Sequence, residues 1–288
     1  ETAREFAMNE VLPVANKLDP VQGDIPMELR DKMAEMGYFG ILMPPEYGGL
    51  GLGCFEYCIV AEELSRAWMS VASIMARGNG MIGWMAMSEA QKREYLPRIA
   101  KGEFLGAFAM SEPSTGSDVA GLSCRAKKDG DSYLITGNKY WCTFADGADY
   151  LMVMARTSDT ENRRHLGISM FMIPKKRGEL PPGVKGSPIP KIGYFGFKTW
   201  ELAFDNCRVP AENLIGEEGK AFYYAASGLE VPRAHTAARS IGLARGGLED
   251  AIDYAKQRVQ FGHPISDFQA IRFKIASMAA DIEASRQL

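Results

Sequence analysis

The chain has 288 residues, of which 46% are hydrophobic and 24% charged, a globular composition with room for one large domain or two to three modest ones. Its net charge of -3 argues against nucleic acid or an anionic membrane surface as a partner, and no stretch reaches the roughly 18 continuous apolar residues of a spanning helix. Five cysteines without a CxxC pair indicate a reducing compartment, and three widely separated histidines argue against a metal site.

Apolar residues three or four positions apart predict a helical domain over residues 1–104. The predicted stripes are Phe6, Val11, Val14, Leu29, Met33, Met36, Ile59, Leu64 and Trp68. Two prolines and four glycines in "PPEYGGLGLG" predict a loop. Ser88 and Gln91 predict a capping box at the start of a further helix. Because the sequence begins inside an amphipathic pattern, we expect other residues to precede Glu1.

The apolar spacing changes to two over residues 105–215, which predicts a small β domain, either a barrel or a sandwich. Its clearest strands are "YLMVMART", "ISMFMIP" and "WELAFDNCRVP". In "SYLITGNKYWCTF", the dipeptide formed by Gly137 and Asn138 predicts a turn between two strands.

Helical spacing returns over residues 216–288. The predicted stripes are Ile241, Ala244, Leu248, Ile252, Ala255, Val259, Phe268, Ile271, Ile275, Met278 and Ile282. Gly242, Gly246 and Gly247 predict a close helix–helix contact, since glycine weakens an isolated helix. Ser266 and Gln269 predict a second capping box. The pattern runs to Leu288 without a cap signal, so we expect this domain to continue further.

The order of helices, then strands, then helices predicts an α+β fold and argues against a βαβ layout. The sequence contains no P-loop motif. Between apolar stretches lies "MSEPSTGSDVAG", residues 110–121, which holds three serines, a threonine, a proline and two glycines. This composition is typical of a solvated loop, but its hydroxyl and backbone N–H groups also suit a polar ligand.

Five segments in chain order resemble the acyl-CoA dehydrogenase family. They are "MPPEYGGLG" (43–51), "AMSEPSTGSDVAG" (109–121), "ITGNKYWCTFADGADYLMVMA" (135–155), "ELAFDNCRVPAENLIGEEGKAF" (201–222) and "AKQRVQFGHPISDFQAI" (255–271). The resemblance covers nearly the whole chain. It implies an N-terminal helical domain, a central β domain and a C-terminal helical bundle, the last incomplete here.

The resemblance also implies an activity: FAD-dependent oxidation of an acyl-CoA thioester to the 2,3-enoyl-CoA, with electrons passed to an electron-transfer flavoprotein. It implies a homo-oligomer, a dimer of dimers, in the bacterial cytoplasm or the mitochondrial matrix. An acyl-CoA oxidase on the same fold and a non-catalytic subunit that binds FAD or CoA remain alternatives.

Site residues follow from the same resemblance. The implied FAD contacts are Phe108, Met110, Ser111, Trp141, Thr143, Arg258, Gln260, Phe261 and Gln269, the last four reaching the FAD of a neighbouring subunit. The implied substrate contacts are Ser117, Glu230 and Arg233. Ser111 stands where threonine is usual and keeps the hydroxyl. An indole can cover the flavin plane, and Thr143, two residues from Trp141 along a strand, shares its face.

No catalytic base is assigned within the sequence. Pro232 stands where some family members carry their catalytic glutamate, and proline cannot accept a proton. We expect the base beyond Leu288, with Glu230 as the less favoured alternative.

Two further residues depart from the family pattern or from expectation. Phe195 replaces a lysine or arginine of many members. Arg77 lies among apolar residues of a helix expected to line the acyl pocket, so it either reaches the surface or meets a polar group.

Overall fold

A computed structural model describes residues 1–80, 84–160 and 163–288, and it confirms the predicted α+β class. The first helices are α1 Thr2–Phe6, α2 Leu12–Leu18, α3 Met27–Glu35, α4 Cys54–Met75 and α5 Glu89–Ala100, with a π-helical turn at Ala7–Val11. The strands that follow are β1 Gly106–Ala109, β2 Arg125–Asp129, β3 Ser132–Thr143, β4 Tyr150–Arg156, β5 Ile168–Pro174, β6 Val184–Pro188, β7 Thr199–Pro210 and β8 Leu214–Ile215. The last elements are α6 Ala221–Gly228, α7 Glu230–Gln257, β9 Val259–Gln260, β10 His263–Pro264 and α8 Gln269–Gln287.

The N-terminal helices bury most of the predicted stripes. Phe6 and Met33 are 7% and 0% exposed, and Leu64 is 0% exposed. Ile59 is 46% exposed, so its assignment to the core was wrong. The buried face of α4 runs instead through Tyr57 and other residues at helical spacing, and Ile59 falls outside it.

The predicted capping box at α5 is confirmed. The Ser88 Oγ accepts a hydrogen bond from the Gln91 backbone N–H at 3.2 Å. The Gln91 side chain accepts one from the Ser88 N–H at 3.0 Å. Two otherwise unpaired backbone donors are thereby satisfied at the start of the helix.

Strands β1 to β8 form one sheet in the order β6-β7-β3-β2-β4-β5-β8, with β1 added beside β4, and β9 pairs separately with β10. The β1 strand pairs with β4 in parallel, whereas β3–β7, β4–β5 and β6–β7 are antiparallel. Every residue of β4 is buried. The sheet therefore has its core along β4, and β1 lies on that core.

The predicted turn at Gly137 and Asn138 was wrong, because β3 continues through both residues. The pairing of β3 with β7 shifts register between Ile135 and Gly137, which marks an irregularity in a continuous strand. Gly137 has a φ of 143°, and a Cβ there would lie 2.7 Å from the Cys124 Cα. Glycine here permits close approach of β2 rather than chain reversal.

Helix α7 packs on α4, and two of the three predicted glycine contacts are confirmed. A Cβ on Gly242 would lie 2.2 Å from the Glu62 carbonyl oxygen, and one on Gly246 would lie 2.9 Å from that of Arg66. A Cβ on Gly247 would have nothing within 4 Å, so the assignment of this glycine to the contact was wrong.

Ion pairs cross the same contact. Arg245 pairs with Glu62 at 2.7 Å and also with Glu63. Arg286 of α8 pairs with the same Glu62 at 2.8 Å. These side chains are only partly exposed, so charge as well as close packing connects the two helical regions.

The second predicted capping box was wrong. A 3-10 turn at Ile265–Asp267 contains Ser266, and α8 begins at Gln269 with Phe268 at its N-cap and no side-chain cap. The Ser266 carbonyl instead accepts a hydrogen bond from Arg272 at 2.8 Å. No residue of α8 is buried, and most members of its predicted apolar stripe are only partly covered.

In the part of the chain that the structure describes, no helix combines the length and apolar character needed to cross a membrane. Across the same residues, no three His, Cys, Asp or Glu side chains are grouped to hold a metal ion.

Candidate active site

A buried ion pair holds the polar loop that follows β1. The Lys139 Nζ lies 2.9 Å from the Glu112 Oε1, and the two side chains are 0% and 2% exposed. Glu112 also accepts hydrogen bonds from Ser123, at 2.7 Å from both its backbone N–H and its hydroxyl, and from the Cys124 N–H at 2.9 Å. Lys139 donates to the Met110 carbonyl at 3.0 Å. The loop is thus fixed on β3 by charge and hydrogen bonds.

The same contacts determine the ionisation of Glu112. Burial alone would raise its pKa, but the Lys139 charge and the Ser123 and Cys124 backbone donors outweigh burial, and the pKa of Glu112 is lowered. The carboxylate is therefore charged at neutral pH. Neither member of this pair was identified from the sequence. A lysine at a buried position of β3 was the available signal, because a buried lysine needs a partner.

Ser111 and Trp141 lie at adjacent points of loop and strand. The Tyr140 backbone N–H donates to the Ser111 carbonyl at 2.8 Å, which joins the loop to β3 beside Trp141. Trp141 is 56% exposed, has a φ of 60°, and meets the Tyr140 ring edge-on at 4.8 Å. An uncovered indole beside a polar loop fits a planar heteroaromatic ring, as in FAD.

Thr143 follows Trp141 at the end of β3 and is half-buried. Its hydroxyl lies 3.3 Å from that of Thr199 on β7. The register of the two strands shifts between Lys139 and Cys142, which is typical of a bulge that re-aims side chains. Cys142 between them is buried, whereas Trp141 is exposed and Thr143 half-buried.

The rest of the loop is open. Its start closes into a tight turn, where the Glu112 N–H donates to the Thr115 carbonyl at 2.8 Å. Gly116 and Ser117 are exposed, and a Cβ on Gly116 would have nothing within 4 Å. Asp118 pairs with Arg164 at 3.1 Å on the surface. Protein packing does not require glycine at 116, and Ser117 is accessible to a ligand.

An apolar cavity of about 190 Å³ lies where α4, α5, β1, β4 and α7 meet. It is lined by Ala76, Arg77, Gly78, Gly80, Trp84, Met87, Ile99, Gly106, Ala107, Phe108, Tyr150, Met152 and Pro232. The described lining includes no Asp or Glu. Phe108 belongs to the cavity wall, and β1 leads from it directly into the polar loop at Met110.

Arg77 is the one charged side chain among the described lining residues. Its Nε is buried without a hydrogen-bond partner. The residue as a whole is partly exposed, as the first of the two alternatives expects, but this atom is buried and has no polar partner.

Pro232, Glu230 and Arg233 lie in the first turn of α7 but differ in their position relative to the cavity. Pro232 lines the cavity, whereas Glu230 and Arg233 are exposed and absent from its described lining. The Arg233 backbone N–H donates to the Leu229 carbonyl at 3.1 Å, so the helix is formed here. Within the described residues, Glu230 therefore stands outside this cavity.

The segment with Arg258, Gln260, Phe261 and Gln269 is separate from the loop and the cavity. It forms the β9–β10 hairpin and the start of α8, and Phe261 is 90% exposed. Gln260 donates to the neighbouring Val259 carbonyl at 2.8 Å. Within one chain, none of these four residues lines the described cavity.

Three family models match the chain. They are described as the acyl-CoA dehydrogenase N-terminal domain over residues 1–103, the middle domain over 107–207 and the C-terminal domain over 219–288. The chain is 40% identical over 290 residues to a mitochondrial isovaleryl-CoA dehydrogenase of Arabidopsis thaliana, covering 99% of this chain and 70% of that protein. It is 39% identical to an acyl-CoA dehydrogenase of Bacillus subtilis, with coverage of 99% and 74%.

Solved structures agree with these matches. A chain in the structure of the electron transferring flavoprotein of Acidaminococcus fermentans has a TM-score of 0.90 at 37% identity, covering 99% of this chain and 74% of that one. A glutaryl-coenzyme A dehydrogenase in complex with glutaryl-CoA has a TM-score of 0.91 at 35% identity, with coverage of 99% and 72%. A glutaryl-CoA dehydrogenase from Mycobacterium smegmatis in complex with FADH2 has a TM-score of 0.88 at 29% identity, with coverage of 99% and 71%.

Proposed function

Because the chain belongs to the acyl-CoA dehydrogenase family of FAD-dependent oxidoreductases, we propose that it oxidises an acyl-CoA thioester to the 2,3-enoyl-CoA. The observation that carries this proposal is the continuity of two surfaces. Strand β1 forms part of an apolar cavity at Phe108 and enters the polar loop at Met110, next to the exposed Trp141. One side suits an acyl chain and the other suits a flavin.

The reaction breaks two C–H bonds. The α-hydrogen leaves as a proton, which needs a base within hydrogen-bond reach, and the thioester carbonyl must be polarised as negative charge develops. FAD, when bound, accepts the β-hydrogen as a hydride. The protein has to orient the α–β bond and exclude water, and the apolar cavity walls serve both needs.

We assign the FAD of this chain to Phe108, Met110, Ser111, Trp141 and Thr143. Ser111 supplies a hydroxyl and Trp141 a planar surface, both fixed by the buried pair beneath the loop. The neighbouring subunit's FAD is assigned to the separate surface segment, namely Arg258, Gln260, Phe261 and Gln269. The exposure of Phe261 supports a contact outside its own chain and hence a homo-oligomer, a dimer of dimers.

For the substrate, we assign Ser117, Glu230 and Arg233 to contacts with the thioester or CoA. All three are exposed, as contacts to a long polar ligand require. We place the catalytic base outside residues 1–288, because the described cavity lining holds no carboxylate and Pro232 occupies the nearest position of α7. The first matched relative is longer than this chain, which spans 70% of it.

The test is flavin bleaching by a good acyl-CoA in a single turnover of the full-length protein. Glu230→Gln should still bleach at saturating substrate while its KM rises, because the residue would contact the ligand without taking its proton. Asp250→Asn, an exposed change on the same helix, is the matched control. Complete loss of bleaching in Glu230→Gln with FAD still bound would make Glu230 the base and refute our assignment.

We propose an electron-transfer flavoprotein as the acceptor, supported by the flavoprotein structure to which the chain is similar. Acceptor reduction without peroxide is the expected result. Rapid peroxide formation would instead identify an acyl-CoA oxidase, and an FAD-loaded protein that no thioester bleaches would identify a non-catalytic binding subunit.

Two further proposals concern organisation and place. We divide the chain into domains at residues 1–104, 105–215 and 216–288, which limited proteolysis would test. We place the protein in the bacterial cytoplasm or the mitochondrial matrix, since the relatives include bacterial and mitochondrial proteins.

A further inference from the structure

Arg77 follows the C-terminal end of α4, and its backbone is held firmly. Its N–H donates to the Ile74 carbonyl at 2.9 Å. The buried Asn79 side chain donates to the Tyr38 carbonyl at 2.7 Å and to the Met75 carbonyl at 3.0 Å. A Cβ at Gly78 would lie 2.2 Å from a backbone oxygen of the facing segment, so this turn has little freedom to move. The Arg77 side chain is therefore presented to the cavity from a rigid support.

The charge of Arg77 has no anionic partner among the described residues. Its Nε is buried and unbonded. The groups that act on its pKa are, after burial itself, Tyr194, Cys142, Arg239 and Tyr150, none of them a carboxylate. Burial lowers the pKa of Arg77, but a guanidinium stays protonated in proteins, so the cation persists at the cavity wall.

A second cation strengthens the positive field. Arg239 of α7 donates to the Tyr194 hydroxyl at 2.7 Å and to the Thr236 hydroxyl at 3.2 Å, both neutral groups. Its positive charge contributes to lowering the pKa of Arg77 and the pKa of His235. The walls of the cavity are otherwise mostly apolar, and they screen charge poorly. Arg77 therefore gives the described lining a positive charge, and Arg239 adds to that field from outside the lining.

We propose that Arg77 binds a second, free carboxylate of the acyl group, so that the substrates are short dicarboxylyl-CoA thioesters. The inference rests on the proposed acyl-CoA dehydrogenation. A guanidinium can pair with a carboxylate through two parallel N–H···O bonds, which gives both affinity and register. The described cavity volume of about 190 Å³ corresponds to roughly six waters in the liquid, a volume that a short acyl group can fill.

The test compares two thioesters of equal carbon number, glutaryl-CoA and pentanoyl-CoA, on the full-length FAD-bound protein. The expected kcat/KM favours glutaryl-CoA by about 10-fold to 100-fold, the range of a charge-assisted hydrogen bond. Arg77→Met should abolish or reverse this preference, and Arg77→Lys should retain part of it. Arg93→Met removes an exposed cation on α5 and should leave the ratio unchanged.

Each outcome decides a separate point. Reaction with pentanoyl-CoA at equal or better efficiency, or an unchanged ratio in Arg77→Met, would overturn the inference while the dehydrogenase function stands. If neither thioester bleaches the flavin, the proposed dehydrogenase function is refuted. The role of Arg77 is then tested by measuring the Kd of each thioester by calorimetry. Equal Kd values for glutaryl-CoA and pentanoyl-CoA would overturn the role of Arg77 as well.

Discussion

Replacing Glu112 by glutamine should both destabilise the β domain and loosen the polar loop that follows β1. In the native structure the Glu112 carboxylate receives hydrogen bonds from Lys139 at 2.9 Å, from the Ser123 N–H and hydroxyl at 2.7 Å, and from the Cys124 N–H at 2.9 Å. Glu112→Gln leaves the Lys139 charge, which is 0% exposed, without its counter-ion. Removing one partner of such a buried pair costs about 3 to 5 kcal/mol.

The matched control is Asp159→Asn, which breaks an ion pair with Arg125 whose side chains are 72% and 59% exposed. An exposed pair contributes less than about 1 kcal/mol. Urea denaturation followed by fluorescence should separate the two variants clearly, and flavin absorbance should fall only in Glu112→Gln. Lys139→Met added to Glu112→Gln should recover part of the stability, since no buried charge then remains. If Glu112→Gln lost no more stability than the control, the reasoning would be refuted.

The pH dependence follows from the lowered pKa of Glu112. The stabilising contribution is fully present above the pKa of an unfolded glutamate, about 4.3. It is lost as pH falls from there through the lower value of the folded state. Glu112→Gln should therefore flatten the stability profile below about pH 4.3 relative to the wild-type protein.

Three further predictions concern separate residues. Gly242→Ala should lower the free energy of unfolding in urea by about 1 to 3 kcal/mol, because its Cβ would lie 2.2 Å from the Glu62 oxygen. Gly247→Ala, whose Cβ would have nothing within 4 Å, should raise it by up to about 1 kcal/mol. Equal effects of the two changes would contradict the packing argument. Burial lowers the pKa of His235 to about 3, so its NMR ring signals should not titrate between pH 8 and 4. The stability that the neutral ring contributes is lost as pH falls from about 6.5 toward 3. A titration midpoint near 6.5 would contradict the lowered pKa. Trp141→Ala should lower the flavin content while leaving the melting temperature of the flavin-free protein nearly unchanged, because the indole is 56% exposed; full flavin occupancy would count against its role.

The spacing of apolar residues was enough to predict an element that buries one or both of its faces. The strands β4 and β5 were found because each is a short apolar run between turn residues. Short sequence motifs gave wrong predictions where one motif is compatible with two local structures. Gly137 is compatible with a turn and with a strand that approaches a neighbour, and only the position of β2 distinguishes them. Ser266 has the spacing of a capping box but belongs to a 3-10 turn.

For the candidate site, the family resemblance indicated the loop and Trp141 but not the ion pair that supports them. The pairing of Glu112 with Lys139 joins residues 27 positions apart, and no local pattern encodes it. Arg77 was noticed because a charge interrupted an apolar stretch of sequence; the structure places it just after α4, not within a helix. Its unbonded Nε required the structure, since absence of a partner depends on every element around the cavity.

The contact between α4 and α7 also has a consequence for synthesis on the ribosome. Arg245 and its partner Glu62 are 183 positions apart, so α4 leaves the ribosome long before the helix that covers it. At about 5 to 20 residues per second, the delay is on the order of 10 to 40 s. During that interval the groove that later receives Gly242 is uncovered, and the N-terminal helices cannot complete their packing. Nascent chains of this length should therefore depend on holding chaperones until α7 has emerged.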